Sequence, residues 1–204
     1  MHIANVEGRG SLVIDGRIVD VELATAGEIS SDPMELVDLS NHPLLAQVQL
    51  NGEAREINES DLGPPVPRPG KIIAIAINYR SHAEEANKAI PTDPHVMVKF
   101  STCITGPQDD VFIHDLEMVD YEVELVLAIG RRGIRIPRAS AWDHIAGLTV
   151  GNDVSDRNEQ FRPPIRQFSM PKSSDRFGPL GPALVTPDHV PARDRSEQRR
   201  GATA

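Results

Sequence analysis

The sequence predicts an α+β fold in which β-strands predominate. Short alternating apolar runs fill residues 1–62, and the stretch 121–130 is rich in β-branched and aliphatic side chains and ends at a glycine. Residues 81–89 are a clear helix candidate. With 204 residues the chain is long enough to bury a core, and it can hold one main domain with an appended piece.

The first 62 residues predict a small β-rich N-terminal domain. They include the run SLVIDGRIVDVEL, in which Asp15-Gly16 separates two apolar stretches as a hairpin turn does. Residues 63–70 follow with four prolines in eight positions, so they favour neither helix nor strand. We therefore predict a stiff linker at 63–70 and a second domain at 71–190.

The second domain begins with KIIAIAI, a short strand candidate. In the helix candidate that follows, Ser81 is a plausible N-cap and Glu84 completes a capping box. A further strand is expected at 182–186. The tail, 191–204, is rich in arginine and has no hydrophobic periodicity, so it is predicted to be disordered and the chain to be cut short at its C-terminus.

The amino-acid composition narrows the classes of molecule that the protein is expected to bind. A net charge of −9, from 30 acidic and 21 basic residues, argues against binding to nucleic acid phosphates or anionic lipid and favours small or cationic ligands. Cys103 is the only cysteine, so no internal disulfide is expected and a cytoplasmic location is favoured. No signal peptide or membrane span is predicted.

Two carboxylates in the strand at 121–130 are unusual. Glu122 and Glu124 point to one face of the strand, while its aliphatic residues point to the other. A solvated face would tolerate them, and that alternative stays open. If Asp153, which follows the apolar stretch 147–150, meets them, the three carboxylates would bind a hard cation such as Mg²⁺, Mn²⁺ or Ca²⁺.

Two further clusters carry potential catalytic groups. In a helix, His82 and Glu85 share a face, which suits a general base acting on water, although a solvated surface helix explains them equally. Lys172 lies in a predicted loop, where most lysines are solvated. Arg157 and Gln160 would share a helical face with Asp153.

Four ordered motifs together resemble the fumarylacetoacetate hydrolase family. They are KIIAIAINYRSHAEEA, DYEVELVLAIGR, AGLTVGNDVSDRNEQ and KSSDRFGPLGPALVTPD, and the resemblance covers residues 70–190. It implies a mixed β-roll catalytic domain and a homodimer.

The resemblance also implies roles for individual residues. Glu122, Glu124 and Asp153 would be Mg²⁺ or Mn²⁺ ligands, and His82 with Glu85 a water-activating dyad on a mobile lid. Lys172 would contact a substrate oxygen, and Arg157 and Gln160 would bind the substrate.

The implied activity is metal-dependent hydrolysis of a C–C bond in a 2,4-dioxo acid of the acylpyruvate or fumarylpyruvate type. The metal would act as Lewis acid and template for the enolate, water activated by His82 would attack the distal carbonyl, and Lys172 would stabilise negative charge. Relatives isomerise, hydrate or decarboxylate related 2-oxo acids, and these reactions remain alternatives.

Asp156 departs from the family pattern, which has a small residue there, and is expected to weaken binding of an anionic substrate. Because no counterpart of the family's C-terminal part follows residue 190, we expect weak or no activity, or a truncated inactive relative. An acidic Ca²⁺-binding protein is disfavoured, because the D-x-[DN]-x-[DN]-G loop is missing.

Overall fold

The computed structural model describes residues 1–40, 42–50 and 54–190. The β-rich α+β prediction is confirmed. The strands are β1 (His2–Val6), β2 (Arg9–Ile14), β3 (Arg17–Asp20), β4 (Arg55–Glu56), β5 (Leu62–Gly63), β6 (Ile72–Ala76), β7 (His95–Lys99), β8 (Ile104–Thr105), β9 (Val119–Asp120), β10 (Val123–Ile129), β11 (Ile145–Asn152), β12 (Ser155–Asp156) and β13 (Gly178–Val185). The α-helices are short: α1 (Val21–Ala24), α2 (Pro33–Asp38), α3 (Arg80–Glu85) and α4 (Arg157–Phe161).

Short 3₁₀ turns connect several of these elements. They are Leu45–Gln47, Glu59–Asp61, Ser101–Cys103, Arg138–His144, Met170–Lys172 and Pro187–His189. No helix within the described ranges is long and apolar enough to cross a membrane.

The hairpin of β2 and β3 forms at the predicted turn. Asp15 and Gly16 have φ angles of 50° and 75°, the left-handed conformation that a two-residue type I′ turn requires at both positions. The turn sets the register Ile14↔Arg17, so the apolar residues Leu12 and Val19 face each other across the pair. Local turn chemistry thus explains this hairpin.

The largest sheet joins both ends of the described chain. It has nine strands in the order β10-β11-β13-β1-β2-β3-β4, with β5 also paired to β1 and β8 to β13. Strand β1 pairs with β13 through His2↔Val185 and Ile3↔Leu184. One hydrophobic cluster mixes Ile3 with Ala146 and Leu184. The predicted boundary at 63–70 therefore interrupts neither sheet nor core, and separate folding of the two parts stays a prediction.

Helix α2 covers one face of this sheet. Asp32 is its N-cap and accepts a hydrogen bond from the Met34 amide, and Pro33 occupies the first turn. Leu36 is fully buried and approaches Gly10 so closely that a Cβ there would lie 2.3 Å from Leu36 Cδ1. The small residue in β2 is thus what lets the helix pack closely.

A separate two-stranded sheet, β6 and β7, carries α3 in its connection. The predicted helix over 81–89 is shorter than expected, and the predicted N-cap is wrong. Tyr79 is the N-cap, its side chain makes no capping hydrogen bond, and Ser81 lies inside the helix. Ile77, with a φ of 52°, turns the chain directly after β6, three residues before the helix begins at Arg80.

Strand β10 has an unusual distribution of polarity. Its aliphatic face is the exposed one, with Val123 70% and Leu127 43% exposed, while Glu124 and Val126 point to the more buried face. The alternative of a solvated face for the glutamates is therefore wrong. The predicted disordered tail, 191–204, lies outside the described residues.

Candidate functional site

Pairing of β10 with β11 brings the candidate metal ligands together. Val123 pairs with Asn152 and Glu124 with Gly151, and Asp153 follows directly at the end of β11. The Asp153 amide donates a 2.8 Å hydrogen bond to the Glu122 carbonyl. The two strand ends therefore present their carboxylates at one edge of the sheet.

Lys172 reaches this edge from the 3₁₀ turn 170–172 and is only 1% exposed. Its Nζ donates to Glu122 Oε2 at 2.9 Å, to Asp153 Oδ2 at 2.6 Å and to Ser155 Oγ at 2.8 Å. These acceptors use all three donors of an ammonium group. The alternative of a solvated loop lysine is therefore wrong.

Lys99, at the end of β7, is a second buried lysine at the same carboxylate. Its Nζ lies 2.6 Å from Asp153 Oδ1 and 2.9 Å from the Phe177 carbonyl. Sequence analysis missed it. The available signal was a lysine closing the apolar run Val96-Met97-Val98, an anomaly of the same kind as two glutamates in a strand.

Arg157, the first residue of α4, is the third basic residue at the carboxylate cluster. Its guanidinium lies 2.7 Å from Glu122 Oε1 and 2.7 Å from Asp120 Oδ2, and it donates to Gln160 Oε1 at 2.7 Å. Asp120, also missed in the sequence, is brought there by pairing of β9 with β12. Arg157 and Gln160 are thus together, but Arg157 holds protein carboxylates here.

Asp156 has a structural task. Its carboxylate is the N-cap of α4 and accepts hydrogen bonds from the amides of Asn158, at 3.0 Å, and Glu159, at 3.3 Å. The side chain therefore neutralises the helix N-terminus instead of standing as a free charge. The predicted weakening of anion binding stays a prediction.

The carboxylates differ in their electrostatic surroundings. Burial, together with the charges of Glu122 and Asp153, raises the pKa of Glu124. Burial would also raise the pKa of Asp153, but the charges of Lys99 and Lys172 outweigh it and lower that pKa. Within the described ranges, Glu124 is also the member of the trio whose side chain makes no hydrogen bond or ion pair.

His82 and Glu85 lie exposed on α3. No hydrogen bond joins them among the residues that the structure covers, so the predicted dyad stays a prediction. His82 lies close enough to Glu124 for its charge to lower the pKa of that carboxyl, against the larger effect of burial. Helix α3 is therefore near the carboxylates.

The donor set suits a hard divalent cation chemically, because it consists of carboxylate oxygens. In the described residues, however, no group of three or more Asp, Glu, His or Cys side chains is arranged around a single ion position. Four carboxylates, those of Asp120, Glu122, Glu124 and Asp153, face three basic groups, which leaves one surplus negative charge. The metal site stays a prediction that the charge balance supports.

A family model described as "Fumarylacetoacetate (FAA) hydrolase C-terminal" matches residues 71–199. The human protein "Oxaloacetate tautomerase FAHD2A, mitochondrial" is 43% identical over 127 residues, which are 62% of this chain and 40% of the human one. The match thus spans less than half of that relative's length.

Two solved structures have a similar fold. A protein of Mycobacterium smegmatis assigned as HpcE is 36% identical with a TM-score of 0.85, over 94% of this chain and 68% of that one. Maleylpyruvate hydrolase of Sphingobium sp. SYK-6, solved with manganese(II) and pyruvate, is 24% identical with a TM-score of 0.69, over 93% and 69% of the two chains. At 24% identity the second likeness bears on the fold alone.

Proposed function

The chain belongs to the fumarylacetoacetate hydrolase family, whose members are enzymes, and from this premise we propose that it acts on small 2-oxo acids with the help of a divalent metal ion. The observation that carries the proposal is the half-buried Glu124 carboxylate, which lies beside Glu122 and Asp153 without a partner among the described residues. A divalent cation would neutralise the surplus charge there.

Glu122, Glu124 and Asp153 would hold the ion. When bound, Mg²⁺ or Mn²⁺ would supply a Lewis acid that polarises the 2-oxo group of the substrate. The surrounding Lys99, Lys172 and Arg157 keep the ligands oriented through charged hydrogen bonds.

Lys172 would act on the substrate oxygen that gains negative charge. All three of its donors are used by Glu122, Asp153 and Ser155, so contact with a substrate requires it to exchange one of them. Exchange of the neutral Ser155 hydroxyl loses the least electrostatic energy, because the other two partners are charged. Arg157 and Gln160 would bind the substrate beside it.

Keto–enol tautomerisation of a small 2-oxo dicarboxylate such as oxaloacetate is the first candidate reaction. It needs one group that moves a proton at the carbon next to the 2-oxo group, and an imidazole nitrogen of His82 on α3 would do so. The 43% identity to a protein named oxaloacetate tautomerase favours this choice.

Hydrolysis of the C–C bond in a 2,4-dioxo acid is the second candidate. It requires water as well as a base, and both His82 and Glu85 are open to solvent on α3. Glu85 would orient the imidazole, which would take the proton of the attacking water.

We also propose that the protein assembles as a homodimer, which light scattering would test.

Purified protein assayed with Mg²⁺ or Mn²⁺ tests the proposal. Oxaloacetate, acetylpyruvate and fumarylpyruvate distinguish tautomerase from hydrolase activity by absorbance. We expect weak, metal-dependent turnover that Lys172→Met lowers by about 10²-fold, while the exposed Lys71→Met leaves it unchanged. Equal turnover after removal of metal by a chelator, or none on any of these acids, would contradict the proposal.

A further inference from the structure

Residues 72–99 form a unit that stands outside the nine-stranded sheet. Strands β6 and β7 pair with each other from Ile72↔Lys99 to Ala76↔His95, and α3 lies in their connection. The unit carries His82, whose charge is felt by Glu124 on β10. The position of this unit on the rest of the protein therefore decides where the His82 imidazole lies.

The end of β7 is tied to the carboxylate cluster by Lys99. Its side chain is 6% exposed, and Nζ donates to Asp153 Oδ1 and to the Phe177 carbonyl. That carbonyl also accepts from the Val154 amide at 3.2 Å. One ammonium group thus joins β7 to the end of β11 and to the segment before β13.

A second tie lies one residue further on. The Phe100 amide donates to Ser173 Oγ at 3.0 Å, and Ser173 Oγ in turn donates to the Ser169 carbonyl at 2.6 Å. Ser173 is the C-cap of the 3₁₀ turn 170–172, which contains Lys172. The base of the unit is therefore held by the same turn that supplies the buried lysine of the site.

The hydrogen bonds of Lys99 constrain the position of this unit differently from the apolar packing of Ile72. Ile72 packs against the cluster of Cys103, Val154 and Phe177, and such packing has no preferred direction. A buried ammonium has to keep its partners, because an unpaired buried charge is costly. Lys99 therefore fixes the position of β7 in a way that Ile72 does not.

We propose that Lys99 is a positioning residue, which anchors residues 72–99 on the Asp153 carboxylate and so fixes where α3, with His82, lies on the protein. The consequence for catalysis rests on the proposed function. The anchoring itself does not, because it involves neither substrate nor metal.

Amide hydrogen exchange of the full chain tests the anchor. In Lys99→Met we expect exchange in β6 and β7 to become at least about tenfold faster, with β1–β3 unchanged, because the loss is local. Lys99→Arg keeps the charge and should restore much of the protection. Lys88→Met, an exposed lysine in the same unit, is the matched control.

Two results would overturn the inference. One is unchanged exchange over 72–99 in Lys99→Met, and the other is acceleration that β1–β3 share equally. Should Lys99→Met fail to fold, Lys99→Arg is judged by the same comparison. It keeps the charge but not the geometry of both hydrogen bonds, so exchange should become faster in 72–99 alone, and by less than the tenfold expected for Lys99→Met.

Measured turnover distinguishes a failure of the anchoring by Lys99 from a failure of the proposed function. If the wild type turns over a 2-oxo acid, kcat should fall by about 10²-fold in Lys99→Met and recover partly in Lys99→Arg, because misplacement of a reacting group by about 1 Å has that effect. An inactive wild type with local loosening in Lys99→Met would contradict the function and leave the anchor supported.

Discussion

Basic side chains balance most of the charge on the carboxylates of the candidate site. Asp153 lies between Lys99 and Lys172, and Glu122 lies between Lys172 and Arg157. Burial and the like charges of Glu122 and Asp153 raise the pKa of Glu124 and outweigh the opposing charges of Lys172 and His82. Substitution of Glu124 therefore breaks no ion pair. Substitution of Glu122 takes one of two carboxylate partners from Lys172 and from Arg157, and substitution of Asp153 removes the carboxylate partner of the buried Lys99.

We expect Glu124→Gln to lose divalent-metal binding without loss of stability. The change removes an oxygen ligand but also a half-buried charge, so the melting temperature should stay the same or rise. Mn²⁺ titration followed by electron paramagnetic resonance measures the first effect, and calorimetry the second. Exposed Glu84→Gln on α3 is the control, and wild-type Mn²⁺ affinity in Glu124→Gln would exclude this residue as a ligand.

Asp156 allows a test of its capping task. We expect Asp156→Ala to lower the free energy of unfolding by about 1 kcal/mol, because two amides of α4 lose their acceptor, and Asp156→Asn to have a much smaller effect. Urea unfolding measures both. An equal loss in the two variants would show that the charge, and not the cap, is what matters.

Asp20 should make stability depend on pH. Burial raises the pKa of Asp20, but hydrogen bonds from Arg9 and the Leu23 amide outweigh it, so the pKa is lowered in the folded chain. A lowered pKa stabilises the fold above the unfolded value of about 3.9, and this contribution is lost as the pH falls below it.

The matching variant is Asp20→Asn, which cannot ionise. We expect it to be less stable than the wild type by about 1 kcal/mol or less at pH 7, since Arg9 is half-exposed. The difference should shrink at pH 3.5. Urea unfolding at both values checks this, and a difference that does not change with pH would contradict it.

At the scale of single residues, alternation along a strand was enough to predict which carboxylates share a face. Glu122 and Glu124 were found in this way, and Asp153 from its place after an apolar stretch. Lys99 and Asp120 were missed because they come from β7 and β9, and no local pattern says which distant strand end they meet.

At the scale of elements, β11 depends on a glycine opposite β13. A Cβ on Gly147 would lie 2.6 Å from Leu184 Cγ and 2.8 Å from the Val185 carbonyl. We expect Gly147→Ala to lower the free energy of unfolding by about 1–3 kcal/mol, as overpacking does. Gly70→Ala, with nothing within 4 Å of the new Cβ, is the control, and equal melting temperatures for the two variants would contradict the prediction.

Elements were predictable where their signal is local. The hairpin at Asp15-Gly16 follows from turn chemistry, and β6 and β10 from short apolar runs. The start of α3 was not, because its N-cap, Tyr79, makes no side-chain capping hydrogen bond and so is not one of the residue types that mark a helix start in a sequence.

At the scale of the whole molecule, the exposed aliphatic face of β10 marks where polar substitution is tolerated. Leu127 pairs with Leu148 in the register of β10 and β11, but Leu127 is 43% exposed and Leu148 only 5%. We expect Leu127→Thr to change the free energy of unfolding by about 0.5 kcal/mol or less and to raise solubility.

Leu148→Thr is the matched comparison and should cost about 2–4 kcal/mol, because Leu148 lies on the same face as its cross-strand partner Leu127 but is buried, so the change puts a hydroxyl and a gap into packed surroundings. Urea unfolding of the two variants gives both values. A similarly large loss of unfolding free energy in Leu127→Thr would mean that the Leu127 side chain is covered in solution.

The pairing of β1 with β13 has a consequence for synthesis on the ribosome. Strand β1 contains His2–Val6, yet one of its two hydrogen-bonding edges meets a strand that is made only after residue 178. The β1-β2-β3 meander can form early from local contacts, and Asn5 and Val6 on its open edge pair with β5, whereas His2 and Ile3 on that edge have to wait for most of translation. During that interval the nascent chain exposes an unpaired strand edge, so a chaperone that shields such edges would act on this protein before β13 emerges.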